Sequence, residues 1–301
     1  MPAASSPEPG RDRAGVLHHS YLYAPGTRPD VMRKALQSGA DVVLLDLEDA
    51  VPADRKDDAR ASVLTLLTEL VDRGLPSGPR APEVHVRINV DGNWWNHEDL
   101  EAVVSPALSA VRLPKAEDPT AIHEVAAVLD RLEREQGIPA GQTGLYPLIE
   151  SAAGVDRARD LLSGPRVVRA ALGTSDLLAD LGILDDRPET TGYLRGRLVL
   201  DSRLAGAGPP IDSVHTDLDD LDGLRRAARW ARDMGFVGKS LIHPRQIDPA
   251  HEAFAPTAAE VDRAIALLDR ADDGASRDGS QFVDPAVVAR ARSVLRLQRN
   301  P

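Results

Sequence analysis

The sequence predicts an α/β protein, a (β/α)8 TIM barrel followed by a C-terminal helical extension. Short apolar runs recur eight times between residues 19 and 242, and nearly all of them are separated by a stretch with a helical pattern. Eight βα units of this size are more typical of a closed barrel than of an open doubly wound sheet. The rival dinucleotide-binding fold lacks its main signature, because no GxGxxG follows a predicted strand.

The first four predicted strands span residues 19–24, 42–47, 84–89 and 110–113. The second (VVLLDL) is almost wholly apolar, as expected for a strand buried on both faces of a parallel sheet, whereas the third (VHVRIN) alternates. Helices are predicted from about residue 30 to Gly39, at 55–70 and at 119–136. Gly39 ends the first helix because glycine adopts the left-handed conformation at little cost.

The last four predicted strands span residues 145–149, 167–172, 210–214 and 238–242, with helices at 190–204 and 221–234. Two further helices, at 258–271 and 285–297, fall outside the eight units. The sequence therefore predicts three parts: a disordered lead-in at residues 1–15, a catalytic barrel at 16–256, and a helical extension at 257–301. We expect the extension to pack on a neighbouring subunit.

Composition excludes several classes of function. The chain has no cysteine, which excludes disulfides, thiolate nucleophiles and cysteine-ligated zinc. A net charge of −11 argues against a general nucleic-acid binder. The N-terminal residues have no apolar core like that of a signal peptide, and no apolar run approaches the length of a membrane span. We expect a cytoplasmic protein that binds neither nucleic acid nor membrane.

Two acids, Glu150 and Asp176, each follow a short apolar run and lie 26 residues apart. One strand, one helix and a second strand fill that separation, so two parallel strands would place both carboxylates at the same edge of the sheet. Such a pair suits Mg2+, which is often held by one or two carboxylates together with substrate oxygens and water. The alternative is that each acid only stabilises a helix start, by about 0.5–2 kcal/mol. Spacing alone leaves both open.

Barrel enzymes place their chemistry at the C-terminal ends of the strands. The charged or imidazole side chains expected there are Asp46, Glu48, Asp49, Arg87, Lys115, Glu150, Asp176 and His243. Several acids with one strand-borne arginine suit a Mg2+-bound anion whose carboxylate is gripped by a guanidinium fork. Alternatively, Arg87 forms an ion pair with an acid of strand two, and Lys115 is a surface charge. For His243 we expect a structural role, since a proline follows it at once.

Seven segments run in one order from about Ser20 to Pro256: SYLYAPGTRPDVMRKALQSGADVVLLDLEDAV, VRIN, LPKAED, LIESAAGV, ALGTSDLLADLG, PIDSVHTDLDDLDGL and GFVGKSLIHPRQI. An eighth, GSQFVDPAVVARA, lies near the C-terminus. In this order and spacing they resemble the citrate lyase β-subunit-like group of CoA-ester lyases. That group lies within the HpcH/HpaI-type aldolases, so the resemblance implies a barrel of the phosphoenolpyruvate/pyruvate-binding type.

The resemblance implies a role for each matching position. Glu150 and Asp176 would bind Mg2+, with Mn2+ as an alternative ion. Arg87 would hold the keto acid, and Asp46 and Glu48 would shape the site around metal and water. Five positions would bind substrate or coenzyme A beside Arg87, the first two of them on the CoA side: Arg28, Lys34, Lys115, Gly173 and Thr174.

The tail motif implies that Asp284 acts as an acid/base supplied by a neighbouring subunit. The chain departs from the family pattern here, because the residue usually found between the aspartate and the proline is missing and Asp284 directly precedes Pro285. A displacement of about 1 Å in a catalytic group can reduce the rate about a hundredfold. Asp284 could also be simply the N-cap of the last helix with Pro285 at N1.

The activity implied by the resemblance is cleavage of a β-hydroxyacyl-CoA of the malyl, citramalyl or citryl type. The products would be an acyl-CoA and a 2-keto acid, with thioesterase and synthase activities as extensions of the same enolate chemistry. The resemblance also implies a homo-oligomer, either a homotrimer or a dimer of trimers. The alternative is a partner-dependent lyase subunit acting on an acyl-carrier-protein thioester, or a non-catalytic barrel, and only the altered tail favours it.

Overall fold

Eight parallel strands close into a barrel in the computed structural model, which describes residues 17–74, 81–91, 94–272, 277–278, 281–282 and 285–297. The order around the barrel follows the order along the chain, so each strand pairs with its neighbours in sequence and the last closes on the first. The strands are β1 (Ser20–Pro25), β2 (Val42–Asp46), β3 (Glu83–Arg87), β4 (Ala110–Leu113), β5 (Gly144–Ile149), β6 (Arg169–Leu172), β7 (Gly208–Asp212) and β8 (Gly238–Leu241). The predicted (β/α)8 barrel is confirmed.

Helices connect the strands and cover the outside of the barrel. They are α1 (Pro29–Ala35), α2 (Lys56–Asp72), α3 (His97–Val103), α4 (Pro119–Glu135), α5 (Ala152–Asp156), α6 (Ala158–Leu162), α7 (Thr174–Leu181), α8 (Pro188–Ala205), α9 (Leu221–Met234), α10 (Ile247–Phe254), α11 (Ala258–Asp272) and α12 (Pro285–Arg296). Single 3-10 turns (Ala53–Arg55, Pro244–Gln246) and two short ribbons (Val90–Asp91 with Trp94–Trp95, Arg277–Asp278 with Gln281–Phe282) complete the elements. Among the described helices, none has both the length and the apolar composition of a membrane span.

Several sequence-based boundaries need correction, among them those of the first helix and of strand β7. The first helix ends at Ala35, and the residues up to Gly39 form turns before that glycine takes its left-handed conformation (φ 84°). Strand β7 begins and ends two residues earlier than predicted, and its last residue is Asp212. This shift leaves Ser213 and Val214 after the strand, where they line the cavity described below.

Alternation along the strands divides the core into two layers. Val43 and Leu45 of β2 pack outward in the large cluster between barrel and helices, whereas Val42 belongs to a smaller cluster inside the barrel with Tyr21 and Tyr146. This alternation has a period of two, as a pleated strand requires. Asp46 and Arg87, at the ends of β2 and β3, therefore belong to the inward-facing set.

Strand register determines which side chains meet at the C-terminal end of the barrel. Asp46 lies opposite Arg87 in the β2–β3 pair. Ile149 lies opposite Leu172 in the β5–β6 pair, so the next residue on each chain segment, Glu150 and Gly173, leave the barrel at the same level. The fold thus places the two predicted acidic strand ends side by side.

Candidate active site

A cavity of about 410 Å³ opens at the C-terminal ends of the strands. Its polar lining comes from seven different strand ends and the loops that follow them: Tyr23, Asp46, Asp49, Arg87, Glu150, Ser175, Asp176, Ser213 and Ser240. This is the end of the barrel at which TIM-barrel enzymes carry their active sites. The cavity is therefore the candidate active site.

Glu150 and Asp176 line this cavity from adjacent segments. Glu150 is buried, and its Oε1 accepts a hydrogen bond of 2.7 Å from the backbone amide of Lys115. Burial is the main reason that the pKa of Glu150 rises to about 8; the Lys115 amide opposes the rise, and the charges of Glu48 and Asp176 reinforce it. Three carboxylates thus act on one another in this part of the site.

Neither acid is the N-cap of a helix. Ser151 is the N-cap of α5, so Glu150 lies one residue before the cap. Gly173 is the N-cap of α7, and Asp176 lies in the first turn of that helix with its side chain exposed toward the cavity. Both carboxylates are therefore available to a ligand in the cavity.

The donor set fits a hard divalent cation. Glu150 and Asp176 offer only oxygen, which Mg2+ prefers over the nitrogen and sulfur that transition metals take. Throughout the part of the chain that the structure describes, no group of three or more His, Asp or Glu side chains is arranged to hold a metal ion. The protein would thus supply two carboxylate ligands to the metal ion. The raised pKa of Glu150 indicates a site that favours a neutralising positive charge.

Arg87 lies at the centre of an ion-pair network with the acids that follow β2. Its Nε and Nη2 donate to Oδ1 and Oδ2 of Asp46 at 2.7 and 2.6 Å, a bidentate fork. Its Nη1 lies 2.8 Å from Glu48 Oε2 and 3.2 Å from Asp49 Oδ2. The ion pair that the sequence left as an alternative is present. Because the fork uses Nε and Nη2, Nη1 is the nitrogen that a ligand could reach by displacing Asp49, whose side chain is more than half exposed.

Asp46 fixes this arrangement. It is fully buried, and besides Arg87 its two oxygens accept the backbone amides of Glu48 (3.0 Å) and Ala50 (3.1 Å). Four hydrogen bonds to one carboxylate hold both the guanidinium plane and the loop after β2. Asp46 therefore orients Arg87.

Lys115 is not merely a surface charge, although its side chain is half exposed. Its Nζ lies 3.2 Å from Glu48 Oε1, and its amide donates to Glu150. Its φ of 48° is in the left-handed region, which is uncommon for a residue with a side chain. Such a conformation persists only where the surrounding structure holds it, and it is often found at functional sites.

Other sequence-predicted residues lie elsewhere. Arg28 and Lys34 are exposed at the start and end of α1 and do not line the cavity. Arg28 pairs with Asp30 at 3.2 Å.

Thr174 is buried, and its amide and hydroxyl both donate to Ser213 Oγ, at 3.0 and 2.9 Å. His243 Nδ1 accepts the amide of Arg245 and caps a 3-10 turn, in keeping with a structural role. Asp284 lies outside the described residues.

Sequence reasoning missed Tyr23, Ser175, Ser213 and Ser240 as cavity residues. The ring of Tyr23 lies under Arg87, with the guanidinium carbon 5.0 Å from the ring centroid. A signal for it existed, because Tyr23 lies two residues after the inward-facing Tyr21 on the same strand. Ser213 could have been found as the first residue after β7 only if the end of that strand had been placed correctly.

Comparison with known proteins gives one consistent answer. Residues 19–244 match the family described as HpcH/HpaI aldolase/citrate lyase. The citrate lyase subunit beta of Leuconostoc mesenteroides subsp. cremoris is 34% identical over 290 residues, 93% of each chain. A (3S)-malyl-CoA thioesterase of Cereibacter sphaeroides is 32% identical over 287 residues, 92% of this chain and 93% of the relative. The crystal structure of CitE from Mycobacterium tuberculosis with magnesium, acetoacetate and coenzyme A superimposes with a TM-score of 0.76 and 29% identity, covering 94% of this chain and 98% of that one.

Proposed function

The chain belongs to the HpcH/HpaI aldolase/citrate lyase family and is a lyase, and from this premise we propose that it is a Mg2+-dependent CoA-ester lyase. Its substrate would be a β-hydroxyacyl-CoA of the malyl, citramalyl or citryl type, and its products an acyl-CoA and a 2-keto acid. The observation on which the proposal rests most is the convergence of Glu150, Asp176 and the Asp46-anchored Arg87 on one cavity.

Two features of the relatives support the substrate class. One relative bears the name (3S)-malyl-CoA thioesterase, and CitE from Mycobacterium tuberculosis has been crystallised with magnesium, acetoacetate and coenzyme A. In this chain, we assign the CoA phosphates to the exposed cations Arg28 and Lys34, because phosphates favour charge-assisted hydrogen bonds. The keto-acid end would lie in the cavity.

Five charged residues in or beside the cavity each have a task in this proposal. Glu150 and Asp176 hold the divalent ion, which when bound supplies a Lewis acid for the keto-acid carbonyl. Arg87 Nη1 binds the carboxylate of the keto-acid portion and stabilises the negative charge that develops beside it. Asp46 keeps the guanidinium plane in place, and Lys115 keeps Glu48 and Glu150 in position through its ammonium and its amide.

Cleavage of the carbon–carbon bond moves one proton. The β-hydroxyl must lose a proton as its carbon becomes the carbonyl of the keto acid, and the α-carbon of the thioester fragment must gain one. We assign this exchange to Asp284 of a neighbouring subunit, a role that general acid–base catalysis by a positioned carboxylate can fill. The proposal therefore includes a homo-oligomer, either a trimer or a dimer of trimers.

A panel of thioesters tests the function. Purified protein with Mg2+ is incubated with malyl-, citramalyl- and citryl-CoA, and with the same acyl groups on an acyl-carrier protein, while 2-keto acid, acyl-CoA and free CoA are measured. The lyase reaction predicts equal amounts of keto acid and acyl-CoA from at least one CoA ester. Release of free CoA with the intact hydroxy acid would instead indicate a thioesterase. Turnover on carrier-bound groups alone would overturn the proposal.

A further inference from the structure

The phenol of Tyr23 is a cavity group to which the proposed function gives no task. Tyr23 lines the cavity from the end of β1, two residues beyond Tyr21 on the same strand. No hydrogen bond joins its hydroxyl to any residue that the structure describes. The hydroxyl of Tyr21 also has no partner among these residues, but it is enclosed inside the barrel, whereas that of Tyr23 is not. The Tyr23 hydroxyl is therefore open to a ligand in the cavity.

The ring of Tyr23 is held by its contact with Arg87. The guanidinium carbon lies 5.0 Å from the ring centroid, a distance at which a cation is attracted to the face of an aromatic ring. Arg87 is itself fixed by its two-nitrogen contact with Asp46, at 2.7 and 2.6 Å. A rigid ring on a fixed guanidinium leaves only the O–H bond free to turn, so the hydroxyl oxygen has a defined position in the cavity.

The phenol is a hydrogen-bond donor at neutral pH. Burial is the main cause that raises the pKa of Tyr23 above its ordinary value. The charge of Arg87 opposes this rise, and the carboxylates of Asp46 and Glu150 reinforce it. Because an ordinary tyrosine already titrates near pH 10, Tyr23 keeps its proton and can donate it in a hydrogen bond.

Tyr23 lies on the side of the barrel that leads to the cations assigned to the CoA phosphates. From β1 the chain passes through Pro25, which also lines the cavity, to Arg28 at the start of α1. Glu150 follows β5, which is four strands from β1 in either direction around the barrel. The hydroxyl thus lies across the cavity from Glu150 and nearest to the side from which CoA would enter. A thioester at the end of CoA would pass this wall.

The thioester oxygen is the substrate atom for which the proposed function names no partner. When the bond between the α-carbon and the hydroxyl-bearing carbon breaks, its electron pair passes to the thioester fragment and forms an enolate, with negative charge on the thioester oxygen. The hydroxyl gives up its proton as its carbon becomes the keto-acid carbonyl. The α-carbon then takes up one proton, which completes the acyl-CoA. A donor aimed at the thioester oxygen stabilises the charge that develops there.

We propose that Tyr23 is a catalytic residue whose hydroxyl donates a hydrogen bond to the thioester oxygen and stabilises the enolate during cleavage. The phenol neither gains nor loses a proton in this step, because it only shares its proton in the hydrogen bond. The assignment rests on the proposed function. It implies that the hydroxyl acts on the CoA-thioester half of the substrate, whereas Arg87 acts on the keto-acid half.

Tyr23→Phe tests the assignment, because it removes one oxygen and keeps the ring that packs on Arg87. On a CoA ester that the wild type cleaves, kcat should fall about a hundredfold, a usual loss when one donor to a developing oxyanion is removed. The affinity for the released keto acid with Mg2+, measured by calorimetry, should not change. Tyr193→Phe makes the same deletion on the exposed surface of α8 and should keep wild-type kinetics. A wild-type kcat in Tyr23→Phe, or a weaker affinity for the keto acid, would overturn the assignment and leave the lyase function standing.

Product binding gives a second test that needs no turnover. Malyl-, citramalyl- and citryl-CoA would all release acetyl-CoA, and S-ethyl-CoA is the matching thioether with CH2 in place of the carbonyl. Tyr23→Phe should weaken acetyl-CoA binding about two- to tenfold, as expected for one hydrogen bond, and leave S-ethyl-CoA binding unchanged. Equal changes for the two ligands would show that Tyr23 only shapes the cavity, and would overturn the assignment. A protein that cleaves none of the esters would refute the proposed function, independently of this comparison.

Discussion

Gly173 lies directly against the side chain of Glu150. A Cβ added to Gly173 would come within 2.6 Å of Glu150 Oε2 and 2.7 Å of Glu150 Cβ, closer than side-chain carbons tolerate. The β5–β6 register explains this contact, because Ile149 and Leu172, the preceding residues, are paired across the two strands. The absence of a side chain at residue 173 is therefore what leaves room for the first proposed metal ligand.

Gly173→Ala should displace Glu150 and reduce kcat/KM by about a hundredfold, as expected for a misplacement of about 1 Å. The contact with Glu150 Cβ prevents relief by rotation of the carboxylate alone. Gly196→Ala is the matched control, since its Cβ would meet only Met234 Cε at 3.7 Å inside α8. That control should keep full activity and gain up to about 1 kcal/mol of stability from helix propensity. Wild-type kinetics for Gly173→Ala would contradict the assignment of Glu150.

Glu150→Gln and Asp176→Asn should each weaken Mg2+ binding without unfolding the protein. Loss of one charged partner worth roughly 1.5–3 kcal/mol corresponds to roughly a 10- to 150-fold loss of affinity, which calorimetry can measure. Asp180→Asn is the control, because Asp180 lies one turn further along α7 and accepts the amide of Ala152. Unchanged Mg2+ affinity in both site variants, with circular dichroism showing a folded protein, would refute the metal pair.

Arg87→Lys should reduce kcat/KM by about 10²–10³-fold, the usual loss when one donor to developing charge is removed. A lysine keeps the charge but cannot form the fork that Asp46 accepts. Arg33→Lys is the control, since Arg33 forms a similar two-nitrogen contact with Glu69 on the exposed surface. Near-normal kinetics in Arg87→Lys would mean that Arg87 serves only the ion pair with Asp46.

Asp284→Ala and Arg87→Ala subunits should each be inactive alone, yet regain some activity when mixed. If Asp284 acts on a neighbouring subunit, a mixed oligomer contains some sites with both an intact Arg87 and an intact Asp284. The assay requires oligomers verified to contain both variants, for example by two affinity tags. Verified mixed oligomers without any activity would count against an acid/base supplied by a neighbour.

The strands and the acidic strand ends could be predicted from the sequence because each depends on local pattern. The apolar run at residues 42–47 corresponds to β2 (Val42–Asp46), and both predicted metal ligands line one cavity. Short helices such as α3 and α5 went unrecognised because each has only 7 or 5 residues, too few for a periodic pattern. Their N-caps, Asn96 and Ser151, accept the amides of Asp99 and Gly154, contacts that only the structure shows.

Long-range contacts account for what the sequence left open. Nothing local distinguishes a substrate-binding Arg87 from one paired with Asp46, since 41 residues separate them and only the β2–β3 register brings them together. The same holds for Tyr23, whose ring meets Arg87 only because the barrel brings β1 and β3 together. The roles of the site residues, the division into domains and the contribution of Asp284 remain predictions.

Release of a 2-keto acid from the best CoA thioester, before and after removal of metal, tests the proposed function most directly. The account predicts that EDTA abolishes release, and that a Mg2+ concentration just sufficient to restore it in the wild type does not restore it in Glu150→Gln. Keto-acid release that continues at the same rate in EDTA would contradict the account.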